Sequence, residues 1–243
     1  MAKIQFHKLF VTIPVMLLLT GICFLSHAQD KSFNIDSLKI EIRTTNVDSV
    51  HFTNYLKIGN YYRNTDLDSA LSYLDTARAI AIRMQSDKNL LKADIVSASS
   101  LWLKSEYDSA LVLLDQARML SKQLNDSSSL GHIYNLIGIQ YIHKSYFDIA
   151  LDNFLIALNI FQDLENYRGM TSILNNIGII YHEKKNYKEA LRYFFKSIDV
   201  TKKLGLEMGS PAGYNNVATI YSDMQIFDTA LAYFDTALIA LDY

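Results

Sequence analysis

The sequence predicts an all-α protein, a solenoid of about five helix hairpins that repeat every 40 residues. Helix breakers are scarce, with 2 prolines and 9 glycines in 243 residues. Half of the residues are hydrophobic, which excludes disorder and low-complexity classes. Most telling, Ala70, Ala110, Ala150, Ala190 and Ala230 stand 40 residues apart, and each is followed by leucine.

In chain order, the first element is an address. Lys3 and Lys8 precede an uncharged apolar run from Leu9 to Leu25, and Ser26 and Ala28 place small residues where a signal peptidase reads. We expect residues 1–28 to be a signal peptide cut after Ala28. An uncleaved N-terminal anchor is the alternative; Pro14, Thr20 and Gly21 interrupt the run, and Ile22 suits lipidation at Cys23 poorly. Cleavage leaves 21 basic against 25 acidic residues and no cysteine, so disulfide frameworks and multi-cysteine metal sites are excluded. Residues 29–47 form a lead segment, with a short capping helix carrying Ile35, Leu38 and Ile42 on one side.

The array occupies 48–243, in units of about 51–90, 91–130, 131–170, 171–210 and 211–243. Each unit's second helix is marked by apolar residues at −3 and +4 from the alanine and a small one at +7, as in Phe147, Phe154 and Ala157, with Ser197 at +7 in unit four. Asp68, Asp108, Asp148 and Asp228 fall in its first turn, where the helix dipole favours negative charge; Lys188 breaks the series. The first helix shows a matching stripe, Tyr134, Ile137, Gly138 and Tyr141, then Leu174, Ile177, Gly178 and Tyr181, then Tyr214, Val217, Ala218 and Tyr221. Gly138, Gly178 and Ala218 let the partner helix approach closely. Ser210 and Pro211 read as an N-cap and first helical residue.

The spacing of Tyr134, Ile137, Gly138, Tyr141, Ala150, Phe154 and Ala157 resembles the tetratricopeptide repeat. Units three to five match well, unit two is degenerate at Ala98 and Leu101, and unit one is a residue short between Gly59 and Ala70. The resemblance implies a right-handed superhelical solenoid whose first helices line a concave groove. The usual repeat of about 34 residues predicts that an extra turn or loop joins the units.

No phosphate loop, HExxH motif or nucleophile elbow is present, and the balanced charge offers no basic patch, so we expect no enzyme activity, cofactor or nucleic-acid partner. His143, Glu183 and Asp223 recur at 40-residue spacing, but equivalent residues on neighbouring units lie about 8–10 Å apart, too far to converge on a metal. Most aromatics fall at repeat core positions; Trp102 lies one position beyond the stripe, where packing and ligand contact both fit.

Asparagine, a mediocre helix former, recurs at Asn135, Asn175 and Asn215 and again at Asn176 and Asn216. By resemblance these amides grip the backbone of an extended peptide, with Ile139, Ile179 and Thr219 as groove neighbours. Alternatively they bond adjacent helices and hold the units in register. The expected function is therefore an exported, periplasmic or extracytoplasmic scaffold that binds a protein or peptide. The second expectation is the sensor portion of a membrane-bound signalling protein, a histidine kinase or transcription regulator, continuing past Tyr243. The last apolar helix suggests self-association or cover by another domain. Membrane contact would come only through an uncleaved N-terminus or a missing C-terminal region.

Overall fold

The structure, a computed structural model, describes residues 34–205 and 209–241. The expected signal peptide lies outside the described residues. Among those residues there are eleven α-helices and no strand. They are α1 (Ile35–Thr44), α2 (Asp48–Tyr62), α3 (Leu67–Arg83), α4 (Asp87–Leu103), α5 (Tyr107–Gln123), α6 (Ser127–His143), α7 (Phe147–Asp163), α8 (Tyr167–Glu183), α9 (Tyr187–Lys202), α10 (Pro211–Asp223) and α11 (Phe227–Ile239). Two compact units, Gln29–Ile173 and Leu174–Tyr243, divide the chain inside α8. No helix among the described residues is long and apolar enough to cross a membrane.

In the unit Gln29–Ile173, each helix from α1 to α6 packs against its successor. A Cβ on Gly138 of α6 would meet the Phe154 ring of α7 at 2.6 Å, so only glycine lets the two helices close on that ring. Phe161 is held the same way between Gly131 of α6 and Gly169 of α8, whose Cβ atoms would fall 2.8 and 2.6 Å from it. Gly59 faces Leu74 in the first hairpin. The unit Leu174–Tyr243 repeats the device: a Cβ on Gly178 would meet Phe194 of α9 at 2.5 Å, and one on Gly213 of α10 would meet Ile198 at 2.7 Å. The repeating alanines Ala70, Ala110, Ala150 and Ala190 are wholly buried, and Ala230 nearly so.

The expected extra turn or loop is absent at the three unit junctions before α9, and of these junctions only the link between α9 and α10 is longer. The helices from α3 to α8 each have 17 residues, and the links 84–86, 104–106, 124–126, 144–146, 164–166, 184–186 and 224–226 have three residues. The residues beyond the usual repeat therefore lengthen the helices. Each link serves two helices at once. Gln85 turns left-handed at φ 50°, its N–H bonds the Ile82 carbonyl, and the Ser86 N–H bonds the Ala81 carbonyl. Ser86 is at the same time the N-cap of α4, its hydroxyl accepting from the Asn89 N–H. The left-handed residue recurs every 20 positions, at Gln85, Ser105, Asn125, Ser145, Glu165 and Lys185, at Gly205, then at Gln225. Between α9 and α10 the link is longer, and α10 starts with Ser210 accepting from the Gly213 N–H and with Pro211 at its first position.

The first-turn acids stand as expected in α3, α5, α7 and α11, and Glu189 supplies the charge that Lys188 does not in α9. Two of them tie consecutive hairpins: Asp68 to Lys104 at 3.0 Å and Asp108 to Lys144 at 2.6 Å. Each lysine is the C-cap of the following first helix.

Candidate functional site

The sequence nominated the first helix of each hairpin as the binding face, and the structure separates the nominated residues by exposure. On α6, Asn135 is half-buried and Ile139 is buried. On α8, Asn175 is half-buried while Asn176 and Ile179 are buried; on α10, Asn215 is exposed, Thr219 half-buried and Asn216 buried. The Thr219 hydroxyl donates to the Asn215 carbonyl at 2.9 Å, so this side chain serves its own helix.

The asparagines do not behave alike. Asn135 and Asn176 take part in polar or ring interactions within the protein. The Oδ1 of Asn175 is buried and has no hydrogen-bond partner. A buried amide oxygen without a donor costs about 1–3 kcal/mol, which an incoming N–H would remove.

The ends of these helices carry polar contacts that the spacing alone does not reveal. In the unit Leu174–Tyr243, His182 Nε2 and Asp223 Oδ2 lie 2.6 Å apart, joining α8 to α10. The sequence compared His143, Glu183 and Asp223; the contact instead uses the neighbouring position on α8. No group of three histidines, cysteines or acids that could hold a metal occurs among the described residues. In the unit Gln29–Ile173, His143 stacks on Tyr107 at 5.3 Å and 11°, with Trp102 at 5.6 Å on a tilted plane. Trp102 is thus buried packing. Burial holds the His143 imidazole below its ordinary pKa, and its Nε2 has no partner.

Further polar groups lie deep in α4 and α6. Asp94 is 2% exposed and bonds the Arg78 guanidinium at 2.5 Å, linking α3 to α4; burial nevertheless raises its pKa, the arginine opposing that shift. Gln140 is wholly buried with both amide atoms unpaired, and the Ser97 hydroxyl is likewise unpaired. Sequence reading missed a second tyrosine series as well. Tyr73, Tyr193 and Tyr233 stack on Tyr62, Tyr181 and Tyr221 at 5.8, 5.5 and 5.5 Å, pairs within single hairpins. Their common offset, three after each repeat alanine, was the available signal; Leu113 and Asn153 interrupt it.

Residues 129–203 match the family model of the tetratricopeptide repeat. No curated protein sequence matches the chain. Among solved structures, the fold is similar to BtubC (BKLC) from P. vanneervenii, at 16% identity and a TM-score of 0.68, covering 86% of this chain and 87% of that one. It is similar to the apo form of RapI, at 16% identity and a TM-score of 0.66, covering 86% and 90%. A Rap protein complexed with Competence and Sporulation Factor is also similar, at 14% identity and a TM-score of 0.65, covering 86% and 69%. Residues 129–203 therefore carry tetratricopeptide repeats, and the described helices share the all-helical solenoid fold of these structures, a scaffold suited to protein–protein interaction.

Proposed function

We propose that the chain is a non-catalytic scaffold that binds an extended segment of a partner protein along the first helices of the unit Leu174–Tyr243, through Asn175 and Asn215. The observation that carries this reading is the buried, unpartnered Oδ1 of Asn175 within a series of recurring amides. An amide placed to hold helices in register would have its acceptor filled; this one is free to accept from a peptide N–H once the half-buried side chain turns outward. Exposed Asn215, at the same offset one repeat later, offers a second donor and acceptor. The Rap neighbour complexed with a factor shows that a similar fold can carry a bound ligand.

A displayed library of random linear peptides, selected on the purified chain, tests the reading. Peptides enriched on the wild type should lose at least about tenfold affinity on Asn175→Ala and Asn215→Ala, with Asn215→Ala changing stability by less than about 0.5 kcal/mol and Asn175→Ala, which removes an unpaired buried oxygen, not lowering it. Enriched peptides that bind both variants unchanged would refute it. We further propose that the protein is exported, on the strength of Lys3, Lys8, the apolar run and Ala28. N-terminal sequencing of the exported chain should begin at Gln29.

A further inference from the structure

One rung between first helices is built from different chemistry in the two units. In the unit Leu174–Tyr243, His182 of α8 meets the carboxylate of Asp223 on α10 at 2.6 Å. The residues 80 positions earlier, Trp102 of α4 and His143 of α6, form the corresponding rung of the unit Gln29–Ile173. There the histidine takes the second place and an aromatic ring the first. Its imidazole stacks on Tyr107 at 5.3 Å and lies tilted against Trp102 at 5.6 Å, and its Nε2 is buried without a partner.

The charged groups around this stack are already paired. Next to the histidine, Lys144 holds Asp108 of α5 at 2.6 Å; at the end of α4, Lys104 holds both Glu106 and Asp68 at 3.0 Å. Tyr107, the titratable group in contact with the ring, meets it face to face. Burial therefore holds the imidazole below its ordinary pKa with no charge to offset it. A proton on Nε2 would add a buried N–H with neither acceptor nor counter-charge. Gln140, one turn earlier on α6, gives no help: it is wholly buried with both amide atoms unpaired. At the same offset α8 and α10 carry Ile180 and Ile220, also wholly buried. An amide in that place makes the closed seam costly, and water entering the seam would recover its hydrogen bonds. The seam lies at helix ends, beyond the buried cluster that Ala98, Leu114 and Ile137 anchor, so it can part while that cluster holds.

We propose that the seam of Trp102, Tyr107 and His143 is an acid-operated latch in the unit Gln29–Ile173: neutral His143 closes it, and a proton taken from solvent opens it and bares Trp102 while the buried cluster stays folded. Once open, the imidazole titrates in its ordinary range, near about 6.5, and when closed it titrates lower. The latch is therefore shut above pH about 6.5 and loosens as pH falls toward the closed-state value. It lies in the other unit from Asn175 and Asn215, and its test does not depend on them.

Hydrogen exchange of the full chain, read by mass spectrometry at pH 7.5 and 5.5 as protection relative to intrinsic rates, tests the latch. Segments 100–108 and 139–146 cover the seam, and segment 110–118 reports the buried cluster. In the wild type the seam should be at least about tenfold less protected than the cluster. It should lose a further five- to tenfold, roughly, between the two pH values. His143→Phe keeps a ring in the stack and removes the titration, so seam protection should become equal at both pH values. Gln140→Ile supplies the residue found in α8 and α10 and should raise seam protection at least about fivefold at each pH. Four results would overturn the proposal: equal protection of seam and cluster, a wild-type seam indifferent to pH, a pH response that persists in His143→Phe, or seam protection that Gln140→Ile leaves unchanged or lowers.

Discussion

Substituting Gly178 with alanine sets two physical effects against each other. Helix propensity favours alanine by about 1 kcal/mol in a helix interior. The added methyl, however, would stand 2.5, 2.7 and 2.9 Å from three atoms of the Phe194 ring. That ring is 1% exposed and has no open space to enter, so α8 and α9 must separate or the ring must leave its rotamer, at about 1–3 kcal/mol. The net expectation for Gly178→Ala is a loss of up to about 2 kcal/mol. Urea denaturation followed by far-ultraviolet circular dichroism measures it, and a double-mutant cycle assigns the cause. Phe194→Leu makes room, so the double variant should be more stable than the sum of the single effects, by a coupling of about 0.5–3 kcal/mol. Gly205→Ala is the control: at φ +81° with nothing within 4 Å, it should lose about 1 kcal/mol to backbone strain, unaltered by Phe194→Leu. If Gly178→Ala instead stabilises by about 1 kcal/mol, or the cycle is additive, the close-approach account of the hairpin is wrong.

Further outcomes follow from other features. Lys185→Gly places the permissive residue at a left-handed position and should raise stability by about 0.5–1 kcal/mol in the same assay, after the greater unfolded-state entropy of glycine is deducted. Burial lowers the folded-state pKa of His143, so the unfolded chain takes up the proton more readily; stability is fully present above pH about 6.5 and falls as pH drops through the folded value. His143→Phe should flatten that acid limb in pH-dependent melts, incompletely, because His132 is shifted in the same direction. Arg78→Met should cost about 3–5 kcal/mol if Asp94 stays charged, and Arg78→Met with Asp94→Leu should recover most of it in chemical denaturation.

The hairpin plan was legible because it rests on residue types that packing dictates. Alanine at every fortieth position and glycine opposite Phe154 or Phe194 are forced by volume, and volume is readable from sequence. The links were not legible. A left-handed residue closed by two backbone hydrogen bonds tolerates glutamine, serine, asparagine, glutamate and lysine alike, so identity carries no trace of it. The ion pairs of Asp68 and Asp108 were half-visible: the acids were read as dipole partners, while lysines 36 residues later went unread. For the asparagines, spacing located the series, but whether an amide is engaged by a neighbour, as for Asn135, or left open at one atom, as at Asn175 Oδ1, depends on side-chain geometry that spacing does not contain.

The three-residue links impose a rule of length without a rule of identity. One residue inserted into such a link would turn the following helix by about 100° and carry its apolar stripe off its neighbour. Substitution there is nearly free in comparison. Relatives of this protein should therefore vary widely at positions such as 85, 105 and 145 while keeping the count of residues between them. Comparison by identity undervalues that kind of kinship, whereas simple counting between left-handed turns would detect it.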